Sequence, residues 1–214
     1  MESENIYDKI QEIFGNMPNN LSILEEEINI DLQMEYFDYA KNYVPNISND
    51  EIIDKKDNVF LPDVSDEDKK CLLVQLASIE SVEAYRTIEK YLRDPGDALR
   101  DWAVLAFQES RMLLESKLLD ENQVFISTGL GGKGANLRYF VVLILDKNPS
   151  FDDIQKKVVR NEVEYILKKH SAQIEELNFI DNFATILANI PLSATIKELF
   201  KEVIDECNQY GNFL

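Results

Sequence analysis

The chain has 214 residues, 45% of them hydrophobic and 10% aromatic, with 22 basic against 40 acidic residues and a net charge of −18. That much apolar surface excludes a disordered chain, which needs low hydrophobicity as well as high charge, and the length suits one large domain or two small ones. The acidity excludes binding to phosphate backbones by counterion release, because Lys and Arg never cluster beyond pairs such as Lys55-Lys56 and Lys168-Lys169.

The elements follow in chain order. Residues 4–14 place Ile6, Ile10, Ile13 and Phe14 on one helical face, with Ser3 as a cap and Gly15 and Pro18 as the stop. Residues 31–43 carry a broad stripe of Leu32, Tyr36, Phe37, Tyr39, Ala40 and Tyr43, with Asp31 at the N-cap position and Pro45 beyond. Such a stripe suits a core. Residues 46–62 are polar and form a connector with room for a short helix at 50–56. Ser65-Asp66-Glu67-Asp68 predicts a helix start, its acids facing the positive end of the dipole. Leu72, Leu73, Leu76 and Ala77 then share a face. Ser81 caps the next helix, which carries Val82, Tyr85, Ile88 and Leu92. Asp94-Pro95-Gly96-Asp97 breaks the chain before a long helix over 98–118.

The break and its flanks, Leu92, Asp94, Pro95, Leu99, Arg100, Trp102, Ala103 and Ala106, resemble a HEAT repeat, an armadillo-type helical unit. The resemblance covers about residues 66–118, one or two units. It implies an α-α superhelix whose units bury their faces on neighbours. A generic helical hairpin is the alternative. The helices of residues 1–43 could supply the stacking, but they lack the pattern.

Beyond residue 122 the periodicity changes. Residues 124–128 read as a strand, Gly129-Leu130-Gly131-Gly132-Lys133-Gly134 as a turn, and 137–145 as a strand apolar on both faces apart from Arg138. An amphipathic helix over 151–169 carries Ile154, Val158, Val159, Val163, Ile166 and Leu167. Strands at 174–180 and 183–190 flank an Asp181-Asn182 turn, and a helix over 194–208 closes the chain. The expected fold is α+β. Residues 1–120 form a helical HEAT-like domain, and 121–214 form a ββαββα antiparallel sheet with two helices. Connection rules make the second part a circularly permuted ferredoxin-like sandwich, with strand 124–128 as the hairpin partner of 137–145 and one sheet face open.

The candidate chemistry is sparse. The glycine turn leads into a strand, and no Ser or Thr follows Lys133, so it is neither a Walker loop nor a dinucleotide fingerprint. It is a hairpin using positive φ, or a loop that closes on a ligand with Lys133 as its charge. His170, the sole histidine, follows Lys168-Lys169 at a helix C-terminus, where cations offset the dipole. Asp63, Asp66, Glu67 and Asp68 lack the glycine of a calcium loop. Glu176, on the strand face of Ile174 and Asn178, is expected to pair with Arg138. Cys71 and Cys207 form no framework, which fits a reducing, cytoplasmic setting. No basic n-region opens the chain and no apolar run is long enough to span a bilayer. No cofactor, metal or catalytic constellation is expected.

Surfaces are therefore the expected working parts. Arg138 and Phe140 share a strand face with Val142 and Ile144, an apolar patch with an arginine, which is an interface composition. The candidate interaction residues are Gly131, Gly132, Lys133, Arg138 and Phe140 in the second half, and Arg100 and Trp102 in the first. The acidity serves solubility or a basic partner. Residues 1–80 hold 19 acids and 6 bases, so such a partner would meet the N-terminal half. The reading is a non-catalytic protein-binding or scaffold module, its partner a protein or a second copy docking through the sheet. One alternative is a small-molecule or nucleotide sensor binding at residues 129–134 with Lys133 and Arg138. Others are an acidic, immunity-type inhibitor of a basic enzyme, and a carboxylate-dependent hydrolase.

Overall fold

The computed structural model describes residue 12 and residues 21–43, 48–93, 98–120, 123–146 and 148–214. The helix expected at 4–14 and the break at 94–97 lie outside the described residues. The structure is α+β and divides into two compact units. One contains Glu27–Gly129 with residues 21 and 22. The other contains Leu130–Leu214 with Ile23–Glu26.

The first unit is mainly helical. Strand β1 (Leu21–Ile23) precedes helix α1 (Ile30–Tyr43). The cap of α1 is Asn29, whose Oδ1 accepts the Asp31 amide at 2.7 Å. Asp31 itself lies in the first turn, two residues later than the sequence suggested. The stretch read as a connector holds helix α2 (Asn49–Asp54) and a 3-10 turn (Lys56–Phe60). Their Ile52 and Val59 are buried. Each of these elements hides only one side chain, too little to show as periodicity. Helices α3 (Asp66–Ala77), α4 (Val82–Tyr91) and α5 (Arg100–Leu119) follow. Ser65 caps α3 by accepting the Asp68 amide, and Ser81 caps α4 by accepting the Ala84 amide.

Trp102 of α5 centres this core. Its Nε1 donates to the Lys70 carbonyl at 3.1 Å, and Tyr36 and Tyr39 meet its ring edge-on at centroid distances of 5.2 and 5.0 Å. Tyr36 is buried and donates its hydroxyl to Glu109 at 2.5 Å. The stripe on α1 is thus core at Tyr36 and half-buried at Tyr39, while Phe37 is exposed.

Strand β2 (Val124–Ile126) pairs with β1, not with the strand that follows the glycines. This corrects the expected hairpin. The buried Gln33 of α1 bonds the residues that follow β2. It donates to the Thr128 carbonyl at 3.4 Å and accepts the Ser127 hydroxyl at 2.5 Å. The chain after β2 is thereby held against α1.

The second unit contains β3 (Gly132–Lys133), β4 (Asn136–Ile144), α6 (Asp153–Lys169), β5 (Gln173–Ile180), β6 (Phe183–Pro191) and α7 (Ile196–Asn208). The sheet order is β3-β4-β6-β5, every neighbouring pair antiparallel. A capping box between Asp152 and Gln155 starts α6. Val159, Val163, Ile166 and Leu167 of α6 join Leu199, Phe200, Val203 and Cys207 of α7 in one core with Leu143, Ala184, Ile186 and Ala188 of the sheet. Both helices therefore lie on one sheet face. Among the described residues, no helix is long and apolar enough to cross a membrane.

Two predictions follow from these cores. Tyr36→Phe deprives the Glu109 carboxylate of its donor, at a cost of about 1–3 kcal/mol. Burial raises the Glu109 pKa above its ordinary 4.5, and the Tyr36 hydrogen bond opposes that rise. A carboxyl raised in the folded state weakens the fold as pH climbs from 4.5 through the raised value. The variant should therefore lose more stability near neutrality than in acid. Urea unfolding followed by the single tryptophan's fluorescence at both pH values checks this; equal losses would contradict it. Cys207 is buried, with its thiol pushed up to about 12 by desolvation and by Glu162 and Glu206. A thiol reagent on the native protein should modify half-buried Cys71 first and reach Cys207 only on unfolding, as peptide mass spectrometry would reveal.

Candidate interaction surface

Side chains on a strand alternate between faces. On β4, Tyr139, Val141 and Leu143 turn to the helices. Arg138, Phe140, Val142 and Ile144 turn to the other face, as the sequence alternation predicts. Phe140 is 58% exposed, Val142 41% and Ile144 54%. Register extends the patch across the sheet. Ile144 lies opposite Phe183, and Phe183 opposite Ile180. Phe183 is 41% exposed and Ile180 59%. Phe140 lies opposite Leu187, and Val142 opposite Thr185. The result is an apolar field over three strands at the end of the sheet marked by the Asp181-Asn182 turn. Ile180 and Phe183 were missed by sequence reasoning. Their alternation was visible, but strand order alone brings them beside Ile144.

The opposite end of this face is polar. Arg138 grips Glu175 with two parallel bonds, Nε to Oε2 at 2.6 Å and Nη2 to Oε1 at 2.9 Å. Asn189, directly across from Arg138, donates to Glu175 at 2.7 Å. The Arg138 hydrogen bond holds the Glu175 carboxyl below its usual range, against the opposing effect of desolvation. The sequence had assigned Arg138 to Glu176. A β-bulge between Ile174 and Glu176 inserts an extra residue, Glu175, and that residue reaches the arginine. A bulge breaks the two-residue period, so no alternation argument could have found it.

Arg138 also anchors main chain. Its Nη1 donates to the Leu130 carbonyl at 2.7 Å and the Glu25 carbonyl at 3.3 Å. The glycines explain how the chain comes so close. Gly131 has φ +69, and a Cβ there would lie 2.6 Å from the carbonyl oxygens of Glu25 and Glu26. A Cβ on Gly132 would lie 2.3 Å from the Asn136 carbonyl oxygen. Both residues are buried. The backbone of Gly131 and Gly132 is therefore occupied by protein. Gly134, φ +61, opens the two-residue turn into β4. Lys133 is exposed beside that turn.

The remaining candidates lie in the helical unit. Trp102 is buried and takes no part in any surface, which corrects its place among the contact residues. Its tryptophan-sized volume fills the centre of the α1–α3–α5 packing. Arg100 is exposed and pairs with Asp101 at 3.4 Å. His170 caps the C-terminus of α6 and meets Glu202 of α7 at 3.1 Å, where Lys169 also pairs. Among the described residues, no group of three or more His, Cys, Asp and Glu could hold a metal ion.

Compared with models of known protein families, with curated proteins and with solved structures, the chain matches none.

The close approach at Gly131 gives a direct test. Gly131→Ala adds strain at positive φ and a clash with two carbonyls, and should destabilise the sheet unit by more than about 1 kcal/mol. Gly134→Ala carries the same positive-φ strain but meets open space, and should cost less than Gly131→Ala, about 1–2 kcal/mol. Urea midpoints by circular dichroism rank the two; the reverse order would contradict this account of the turn.

Proposed function

We propose that this chain is a non-catalytic protein–protein interaction module. In this reading a HEAT-like helical unit is joined to a permuted ferredoxin-like sandwich, and the uncovered sheet face is the contact surface. The observation that carries it is the exposed field of Phe140, Val142, Ile144, Ile180 and Phe183. Contiguous apolar surface with a polar border costs solvation free energy in an isolated protein and marks interaction sites. Arg138 and Glu175 form that border, and Arg138 is held rigidly enough to set the orientation of a partner.

The finer fold description has support in the topology. The order β3-β4-β6-β5, with α6 joining β4 to β5 across the intervening β6, suits a split βαβ unit. In it the short β3 stands where a ferredoxin-like sandwich has its last strand. Helices α3, α4 and α5 follow one another through short links, as a HEAT-like unit would. The free thiols Cys71 and Cys207 suit a reducing, cytoplasmic setting.

The test is a pull-down from the native cell, comparing the wild type with a Phe140→Asp, Val142→Lys double variant of unchanged circular dichroism. Partners should be lost with the variant. Recovery of the same set by both proteins would contradict a contact surface on this face.

A further inference from the structure

The two edges of the four-stranded sheet are built differently. On β5 the outer edge carries the bulge at Ile174/Glu176, with the exposed acid Glu176 beside it. Bulges and charges are how a free edge avoids pairing with another chain. On the opposite side, β3 covers only the first residues of β4, pairing Gly132 with Leu137 and Lys133 with Asn136. The Arg138 amide then donates outward to the Gly131 carbonyl at 3.0 Å. By the two-residue period, the N–H and C=O groups of Phe140, Val142 and Ile144 point outward as well. Among the described residues no strand covers them, because β2 pairs with β1. The uncovered stretch, Tyr139-Phe140-Val141-Val142-Leu143-Ile144, has no charge, no proline and no bulge.

We infer that the β4 edge pairs antiparallel with the β4 edge of a second copy, joining two four-stranded sheets into one continuous sheet. This inference rests on the interaction reading above and names the partner of that same surface.

Three observations favour a second copy over a foreign partner. First, a two-fold axis at Val142 places Phe140 opposite Ile144 and Val142 opposite itself. Outward-facing residues then meet outward-facing residues, and no like charges oppose each other. Second, the charge permits it. Residues 23–26 and 130–214 together hold 14 acids and 10 bases, a small part of the chain's net −18, so the sheet units of two copies repel only weakly. The strong negative charge belongs to the rest of the chain, where a basic partner would be drawn. Third, the apolar fields of the two copies become continuous along the joined sheet. Because β3 already occupies the outer side of Arg138, pairing is confined to residues 140–144, and the association should be reversible and concentration-dependent.

The test combines sedimentation equilibrium with amide hydrogen exchange on the full chain. The wild type should shift from monomer to dimer as concentration rises, with slowed exchange at Phe140, Val142 and Ile144. Val142→Lys should abolish both effects without changing circular dichroism. Val142→Pro removes only an outward N–H and should act likewise. In a Cys71→Ser background, Val142→Cys should form a covalent dimer on mild oxidation, since paired Cα positions on such strands lie within disulfide reach. A wild type that stays monomeric at every concentration overturns the second copy as occupant. If those amides are nevertheless protected, the edge is covered by something else and the interaction reading survives. A monomer with fast exchange, and with partners unaffected by the Phe140→Asp, Val142→Lys variant, removes both.

Discussion

One side chain ties the sheet unit together. Arg138 must satisfy a planar five-donor guanidinium that is only partly in water. It does so with both oxygens of Glu175 and with the carbonyls of Leu130 and Glu25. Each partner imposes something. Glu175 reaches it because β5 bulges. Leu130 reaches it because Gly131 turns at positive φ. Glu25 reaches it because Gly131 has no Cβ to hold the chain off. A bulge, a glycine turn and a distant segment near the N-terminus thus meet in one polar network. The network in turn sets the polar border of the exposed face.

The other organising fact is the diversion of the chain around residues 123–129. Had β2 continued the β3 line, it would have covered the outer edge of β4. Gln33 holds Ser127 and Thr128 in the helical unit, and β1 takes the ladder bonds of β2. Among the described residues, no strand lies along the outer edge of β4 at residues 140–144, and its backbone groups there face outward. Exposed apolar side chains and unpaired backbone on the same strand are a costly combination in water. That cost is the physical basis of the interaction surface proposed above.

Much of the fold was legible from residue patterns, for reasons that can be named. Ser65 and Ser81 announced their helices because cap chemistry is local. Residues 151–169 and 194–208 showed a 3.6-residue period because one face of each helix packs on the sheet. Phe140, Val142 and Ile144 could be placed opposite Tyr139, Val141 and Leu143 because strand alternation is strict where no bulge intervenes. The misplacements have equally definite causes. Asp31 was preferred as a cap because acids suit both the cap and the first turn, and only the hydrogen bond to Asn29 separates them. Trp102 lay at a resemblance to a turn motif, and its burial depends on Tyr36 and Tyr39 from an earlier helix.

What the sequence by itself determined is local or additive: the uneven charge, the helix caps, the turn glycines and the two faces of β4. These depend on a residue and its near neighbours, or on simple totals. Tertiary structure alone decided the partner of Arg138, the extension of the apolar field to Ile180 and Phe183, and the pairing of β2 with β1. Each joins residues far apart in the chain, and each turned on a bulge, a strand order or a buried glutamine that leaves no periodic trace. Long-range register follows from which backbone groups find partners once the cores are packed, and no local pattern encodes that.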